Sequence, residues 1–130
     1  MKKKEKGAIS FGIDVSIYNT YVIVVIGQSK YINKCLSKRG LKKIDISNVK
    51  GAAGYTFGLE EGILLWLKQK PPFTAFNIGC LVHEIFHCTE FILSRAGIKL
   101  SKKSDEAYAY LMGYITENIF NTINNLNNDL

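Results

Sequence analysis

The alternation of apolar and polar residues near the start of the chain predicts a β-strand. Residues 8–17 have isoleucine, phenylalanine or valine at every second position and mostly small or polar residues between them, so one face is buried. Residues 21–26 are apolar at every position, which is typical of a central strand covered on both faces. From Ile32 to Gly40 the apolar period changes to three or four residues, which predicts a short helix ended by the glycine.

The second half of the chain combines a strand pair with two long helices. Residues 55–59 and Ile63–Leu67 predict two strands that form a hairpin around Glu60-Glu61-Gly62. Residues 75–96 predict a long helix closed by Gly97, and a last helix is expected from about residue 104 to 121. The order strand, strand, helix, strand pair, helix, helix indicates an α+β fold with a small mixed or antiparallel sheet.

Neither an internal repeat nor a linker divides the chain, which has 130 residues. We therefore expect residues 8–122 to form a single domain, a length sufficient to bury a core without disulfides. The lysine-rich residues 1–7 are expected to be a flexible basic N-terminus, and the asparagine-rich residues 123–130 a frayed C-terminus.

Composition favours a cytoplasmic protein that does not enter a membrane. The longest aliphatic runs are far shorter than the ~20 residues of a spanning helix, and residues 1–20 lack a signal-peptide core. Three cysteines, Cys35, Cys80 and Cys88, are an odd and scattered set rather than a disulfide framework. Cys80 and Cys88 lie near the histidines, but their positions on the predicted helix favour packing as small hydrophobic residues.

The formal net charge of +6 raises the question of a nucleic-acid partner. Much of the charge comes from the N-terminal lysines and from residues 30–43. We favour a solvent-facing helix surface and a basic tail over a nucleic-acid surface, because no aromatic residues alternate with the lysines to stack on bases. The oligomeric state stays open.

The only two histidines lie four residues apart in His83-Glu84-Ile85-Phe86-His87. On a helix this spacing places both imidazoles on one face, one turn apart, where they can share a zinc ion. Glu84 lies about 100° around the helix from His83, beside the metal rather than on it. Zinc lowers the pKa of a bound water to near neutrality, and Glu84 is placed to accept its proton as the water attacks a carbonyl.

Zinc requires a further ligand, and we expect Glu106, nineteen residues after His87, to supply it. Asp105 and Glu90 are the alternatives, and acidic residues at a helix N-terminus also serve the helix dipole alone. The last helix is apolar nearly all round, so we expect one stripe of it to face the histidine helix, with small residues allowing close approach. That stripe is Glu106, Tyr110, Gly113 and Glu117, with Ala109 near it.

A His-Glu-x-x-His motif followed by a glutamate on a second helix resembles the gluzincin branch of the zinc metallopeptidases. Residues 81–115, with HEIFH followed by EAYAYLMGY, also resemble small uncharacterised zincin-like proteins of bacteriophages and mobile elements. The resemblance implies a minimal zincin-like fold, with His83, His87 and Glu106 as zinc ligands and Glu84 as the base. Only 43 residues follow His87, fewer than gluzincins use to wall their cleft, which implies a shallow and open site.

Two functions are consistent with these features. The first is a zinc-dependent hydrolase, expected to be a metallopeptidase that holds an extended protein or peptide substrate along an edge strand from the Ile63–Leu67 region. Tyr110 or Tyr114 would donate a hydrogen bond to the oxyanion, although both tyrosines also suit ordinary helix packing. The second is a non-catalytic, zinc-stabilised interaction module that docks partners on Trp66 and its apolar neighbours.

Overall fold

The computed structural model describes the backbone of residues 3–5 and 7–128 and the side chains of residues 7–126. The described chain has an α+β fold, as the sequence predicts. Its elements are β1 (Lys3–Glu5), β2 (Ala8–Val15), β3 (Thr20–Gly27), α1 (Ile32–Lys38), β4 (Gly54–Gly58), β5 (Ile63–Leu67), α2 (Ala75–Arg95) and α3 (Asp105–Asn128). Short 3₁₀ turns at Ser16–Tyr18, Ser29–Tyr31 and Ser47–Val49 connect them.

The five strands form one mixed sheet in the order β1-β2-β3-β5-β4. All neighbours are antiparallel except β3 and β5, which are parallel with Val22 opposite Ile63. The hairpin of β4 and β5 therefore joins the sheet through β5, and β4 is the outer strand. The expectation that Ile63–Leu67 forms the edge is wrong, because this strand is apolar on both sides and is buried along its whole length.

The helices cover the two faces of the sheet unequally. α2 and α3 lie on one face, where they enclose a core with Ile13, Val24 and Leu65. α1 covers the other face and packs against Ile23, Val25, Leu64 and Trp66. The His-Glu-x-x-His motif is on α2, so the site described below belongs to the two-helix face.

Trp66 is part of the second core and not of a docking surface. Its side chain is 1% exposed, and its indole Nε1–H donates a hydrogen bond to the Gly27 carbonyl at 2.8 Å. The hypothesis of an interaction surface around Trp66 is therefore wrong.

The orientation of α3 differs from the expected one. The residues expected to face inward, Glu106, Tyr110, Gly113 and Glu117, are exposed. The buried side instead consists of bulky residues at helical spacing, namely Tyr108, Leu111, Ile115, Ile119 and Ile123. These side chains remove more apolar area from water than the acidic and small residues do, so they determine which side contacts the sheet.

The ends of several elements also differ from the expected bounds. β2 stops at Val15, because residues 16–18 form a 3₁₀ turn that leaves Ile17 84% exposed. Lys3–Glu5 pairs with β2 where the sequence suggests a flexible segment over residues 1–7; residues 1, 2 and 6 lie outside the described part. α3 continues through most of the segment expected to fray, residues 123–130, and Ile123 is buried; residues 129 and 130 are not described.

In the described part of the chain, neither long helix is apolar enough over a sufficient length to cross a membrane.

Candidate metal centre

α2 is fixed at its start by a capping box. The Thr74 hydroxyl accepts a hydrogen bond from the Asn77 backbone N–H, and the Asn77 side chain accepts one from the Thr74 backbone N–H. Further along, Leu81, Ile85 and Ile92 are buried against the sheet. This apolar side fixes the rotation of the helix and leaves the histidine side away from the core.

The side of β4 that faces α2 is made of small residues. Every second residue of β4 lies on this side, namely Gly54, Thr56 and Gly58. The β5 residues paired with them, Leu67, Leu65 and Ile63, lie in the two-helix core. A Cβ atom added at Gly54 would be 3.1 Å from the Trp66 carbonyl oxygen and 3.2 Å from Glu84 Cγ. α2 therefore lies against the edge strand at a distance that larger residues would prevent.

His83 and His87 converge through their Nε2 atoms, which are 3.1 Å apart. Their ring centroids are 4.7 Å apart and the rings are nearly perpendicular. The His83 side chain is 67% exposed, so the space in front of the pair is open to solvent. Without a metal, one ring can donate its Nε2–H to the other, depending on the tautomers.

The histidine geometry fits a shared zinc ion. Two nitrogens 3.1 Å apart, each about 2.0–2.1 Å from one zinc, subtend roughly 95–100° at the metal, close to the tetrahedral angle. The i, i+4 spacing on α2 thus places two imidazole nitrogens as zinc requires.

Glu84 is a buried carboxylate beside this pair. Its residue is 7% exposed, and its Oε1 accepts a hydrogen bond from the Thr56 hydroxyl at 2.8 Å. Its Oε2 is 4.0 Å from His83 Nε2, too far for a direct hydrogen bond. A buried carboxylate is costly without a positive partner, and the groups next to it that can supply one are the imidazoles or a cation bound to them.

The nearby cysteines do not extend the ligand set. Cys88 is fully buried; its burial, and secondarily the charge of Glu84, raise the pKa of its thiol well above the usual range. Because metals bind the thiolate, this residue is a packed hydrophobic group, as the sequence predicts. Cys80 is half-buried, and no group of three or more His, Cys, Asp or Glu side chains converges on a metal position among the described residues.

The structure does not bring Glu106 to the histidines. Arg95, at the end of α2, donates hydrogen bonds to the Leu59 and Gly62 carbonyls, and α3 starts from that end of the sheet. Glu84 packs toward the opposite end, beside Gly54. At about 1.5 Å per helical residue, His83 and His87 lie roughly 12–18 Å along α2 from Arg95. The Tyr108 hydroxyl near the start of α3 donates to the Ile98 carbonyl beyond that end of α2, so Glu106 lies well away from the histidine pair.

Asp105, the first alternative ligand, is adjacent to Glu106 and exposed, so it shares this separation. Glu90, the second alternative, is exposed on α2 itself and is not gathered with the histidines. The third coordination position is therefore not filled by any of the three predicted residues in this arrangement.

Tyr110 and Tyr114 lie on the far side of α3 from the site. Tyr110 lines a groove with residues 15–18, and the Tyr114 hydroxyl donates to the Asp14 carbonyl in β2 at 2.7 Å. Between β2 and β4 there are three strand spacings of about 4.8 Å, which amounts to roughly 14 Å across the sheet. Neither tyrosine is placed to donate to a group bound at the histidines.

Sequence reasoning missed Gly54 and Thr56. Both belong to the alternating small-residue pattern of the Gly-Tyr-Thr-Phe-Gly strand. A glycine inside a strand often marks a close approach of another element, and that signal pointed to this strand. The partner could not be identified, because it depends on which helix the edge strand meets.

No known protein-family model, curated protein or solved structure matches the chain.

Proposed function

We propose that this protein is a zinc-dependent hydrolase, of the metallopeptidase type, acting on a protein or peptide substrate. One observation carries the proposal: two histidine nitrogens at 3.1 Å lie next to a buried carboxylate whose Oε2 is 4.0 Å from one of them. A zinc site that only stabilises a fold does not need a proton acceptor beside an open coordination position.

Each residue has a distinct role in this proposal. His83 and His87 would hold a zinc ion, which when bound would supply Lewis acidity and lower the pKa of a bound water. Glu84 would be the proton acceptor beside that site. Thr56 is a positioning residue, because its hydroxyl fixes one oxygen of Glu84 and leaves the other directed toward the histidines.

The edge strand beside the site favours an extended substrate. Among the described residues β4 pairs only with β5, which leaves an outer edge of backbone groups on the strand that contacts Glu84 through Thr56. An extended peptide can add to such an edge as a further strand. In this proposal the substrate pairs with Gly54–Gly58 and not with Ile63–Leu67, the strand expected from the sequence. The cytoplasmic location expected from composition stays a prediction.

The proposal is tested by zinc content and zinc-dependent cleavage measured together. The wild-type chain should take up one zinc per chain by elemental analysis and cleave members of a mixture of unstructured peptides, with products identified by mass spectrometry. The double variant His83→Ala/His87→Ala should lose both properties. Glu106→Ala should retain zinc, because this side chain lies far from the pair. Wild-type protein that takes up no zinc from a stoichiometric supply contradicts the proposal.

The alternative function is a non-catalytic, zinc-stabilised interaction module. The observation that favours it is that, among the described residues, only the two histidines converge, and His83 is largely exposed. In that case zinc raises the melting temperature of the wild type, and Glu84→Gln leaves the biological activity in the host unchanged.

A further inference from the structure

A depression of about 370 Å³ lies on the α1 side of the sheet, away from the histidines. Lys30, Lys50 and Lys68 line it, together with Gly51 and with the apolar residues Val49 and Trp66. The lysines come from three separate segments: the turn after β3, the turn before β4 and the residue after β5. Only the folded sheet brings them together.

The positive charge of the three lysines is not balanced by the other described lining residues. None of the described lining residues is acidic, and none of the three lysines forms an ion pair with a described residue. Lys30 has instead a cation–π contact with Tyr31, its ammonium 5.3 Å from the ring centre. Three lysines that line one concave surface give it a positive potential, which a bound anion would partly neutralise.

The other lining groups limit what the anion can be. The Trp66 indole N–H is already donated to the Gly27 carbonyl, so Trp66 offers carbon atoms and no donor. Directional donors come from the lysines, which bind phosphate groups as compact point charges. A singly charged carboxylate would leave two of the three charges without a partner.

We propose that this pocket binds the phosphate group of a small, multiply charged ligand, with Lys30, Lys50 and Lys68 as the contacts. A concave surface of this volume accepts a discrete phosphate or diphosphate group. A nucleic-acid strand instead requires a groove that follows its backbone, with aromatic residues to stack on bases. The pocket lies across the sheet from the histidines, so this proposal does not depend on the proposed hydrolase activity.

The test uses pyrophosphate as the probe and calorimetric titration of the full chain at low salt. The variant Lys30→Gln/Lys50→Gln/Lys68→Gln removes the three pocket charges. The matched control Lys99→Gln/Lys102→Gln/Lys103→Gln removes three exposed charges from the α2–α3 connection and the same net charge. Both variants keep the histidines, so chelation of metal by pyrophosphate affects them equally. Circular dichroism and thermal melting confirm that each is folded.

We expect the pocket variant to bind pyrophosphate roughly tenfold or more weakly than the wild type, and the control variant to bind it within about twofold. Fluorescence of Trp66, the single tryptophan, should change on titration of the wild type and control but not of the pocket variant. Equal weakening in both variants, or no binding by the wild type, overturns the proposal. A single-stranded oligonucleotide that binds through the same lysines while pyrophosphate does not would also overturn it.

Discussion

α2 and α3 lie on the same face of the sheet, but their contacts with it differ in kind. α3 rests on β2 and its neighbours through bulky apolar side chains, and its acidic residues Glu106 and Glu117 face solvent. α2 combines the same kind of apolar contact with a second one, toward the small-residue side of β4, where Glu84 is buried. Only the helix that meets the edge strand carries a buried charge.

This difference shows what a buried carboxylate needs in a small domain. Gly54 leaves room for the Glu84 methylenes, and Thr56 supplies a hydrogen bond to the carboxylate. On the side that shares a core with α3, β2 has the bulky apolar residues Phe11, Ile13 and Val15, whose side chains donate no hydrogen bond. The candidate site is therefore a property of the α2–β4 pair, and variants on the two helices should respond differently.

The largest expected difference is in catalysis. Glu84→Gln keeps the size and hydrogen-bonding capacity of the side chain but removes the proton acceptor, so hydrolysis should fall by ~10²–10⁴-fold. Zinc content and melting temperature should stay close to the wild-type values. The matched change Glu117→Gln on the exposed side of α3 should leave the rate unchanged. If Glu84→Gln keeps the full rate, Glu84 is not the proton acceptor, and α2 has no catalytic distinction from α3 at this residue.

Truncation of the core residues should show that the two helices depend equally on apolar contact. Ile85 on α2 and Ile115 on α3 are both fully buried, and either change to alanine should lower the free energy of unfolding by about 2–5 kcal/mol. Tyr110→Ala, at a side chain that is 76% exposed, should cost less than about 1 kcal/mol. Urea titration measures all three. A larger loss for Tyr110→Ala than for Ile115→Ala would mean that α3 is rotated relative to this description.

Alanine substitutions at two glycines, one beside α2 and one on α3, should change the stability of the protein in opposite directions. Gly54→Ala places a methyl group 3.1 Å from a backbone oxygen and 3.2 Å from Glu84 Cγ, so we expect a loss of about 1–3 kcal/mol. Gly113→Ala, on the outer side of α3, meets no atom within 4 Å and should gain about 0.5–1 kcal/mol from helix propensity. Thermal melting of both variants tests this, and a stabilising Gly54→Ala would mean that α2 does not lie close to β4.

The sequence predicts α2 and its motif well because both depend on local geometry. Helical periodicity defines its bounds closely, and the four-residue spacing of His83 and His87 already implies that their nitrogens converge. α3 is apolar nearly all round, so periodicity does not select between Ile115 and Gly113 as the inward position. The third ligand and the edge strand depend on the offset between two helices and on which hairpin strand joins β3, and neither is encoded locally.

The last comparison isolates the contribution of the Thr56 hydroxyl, which bonds β4 to α2. Thr56→Val keeps the shape and the β-branch but removes the hydroxyl that donates to Glu84, so unfolding should become easier by about 1–3 kcal/mol. Thr116→Val on α3 removes a hydroxyl that bonds only to the Met112 carbonyl one turn earlier, and its effect should stay within about 0.5 kcal/mol. Thr56→Ser keeps the donor and should recover most of the loss. If Thr56→Val and Thr116→Val lower the free energy of unfolding equally, the Thr56 hydroxyl does not stabilise the buried carboxylate. The space left by Gly54 would then be the only difference between the contacts of α2 and those of α3.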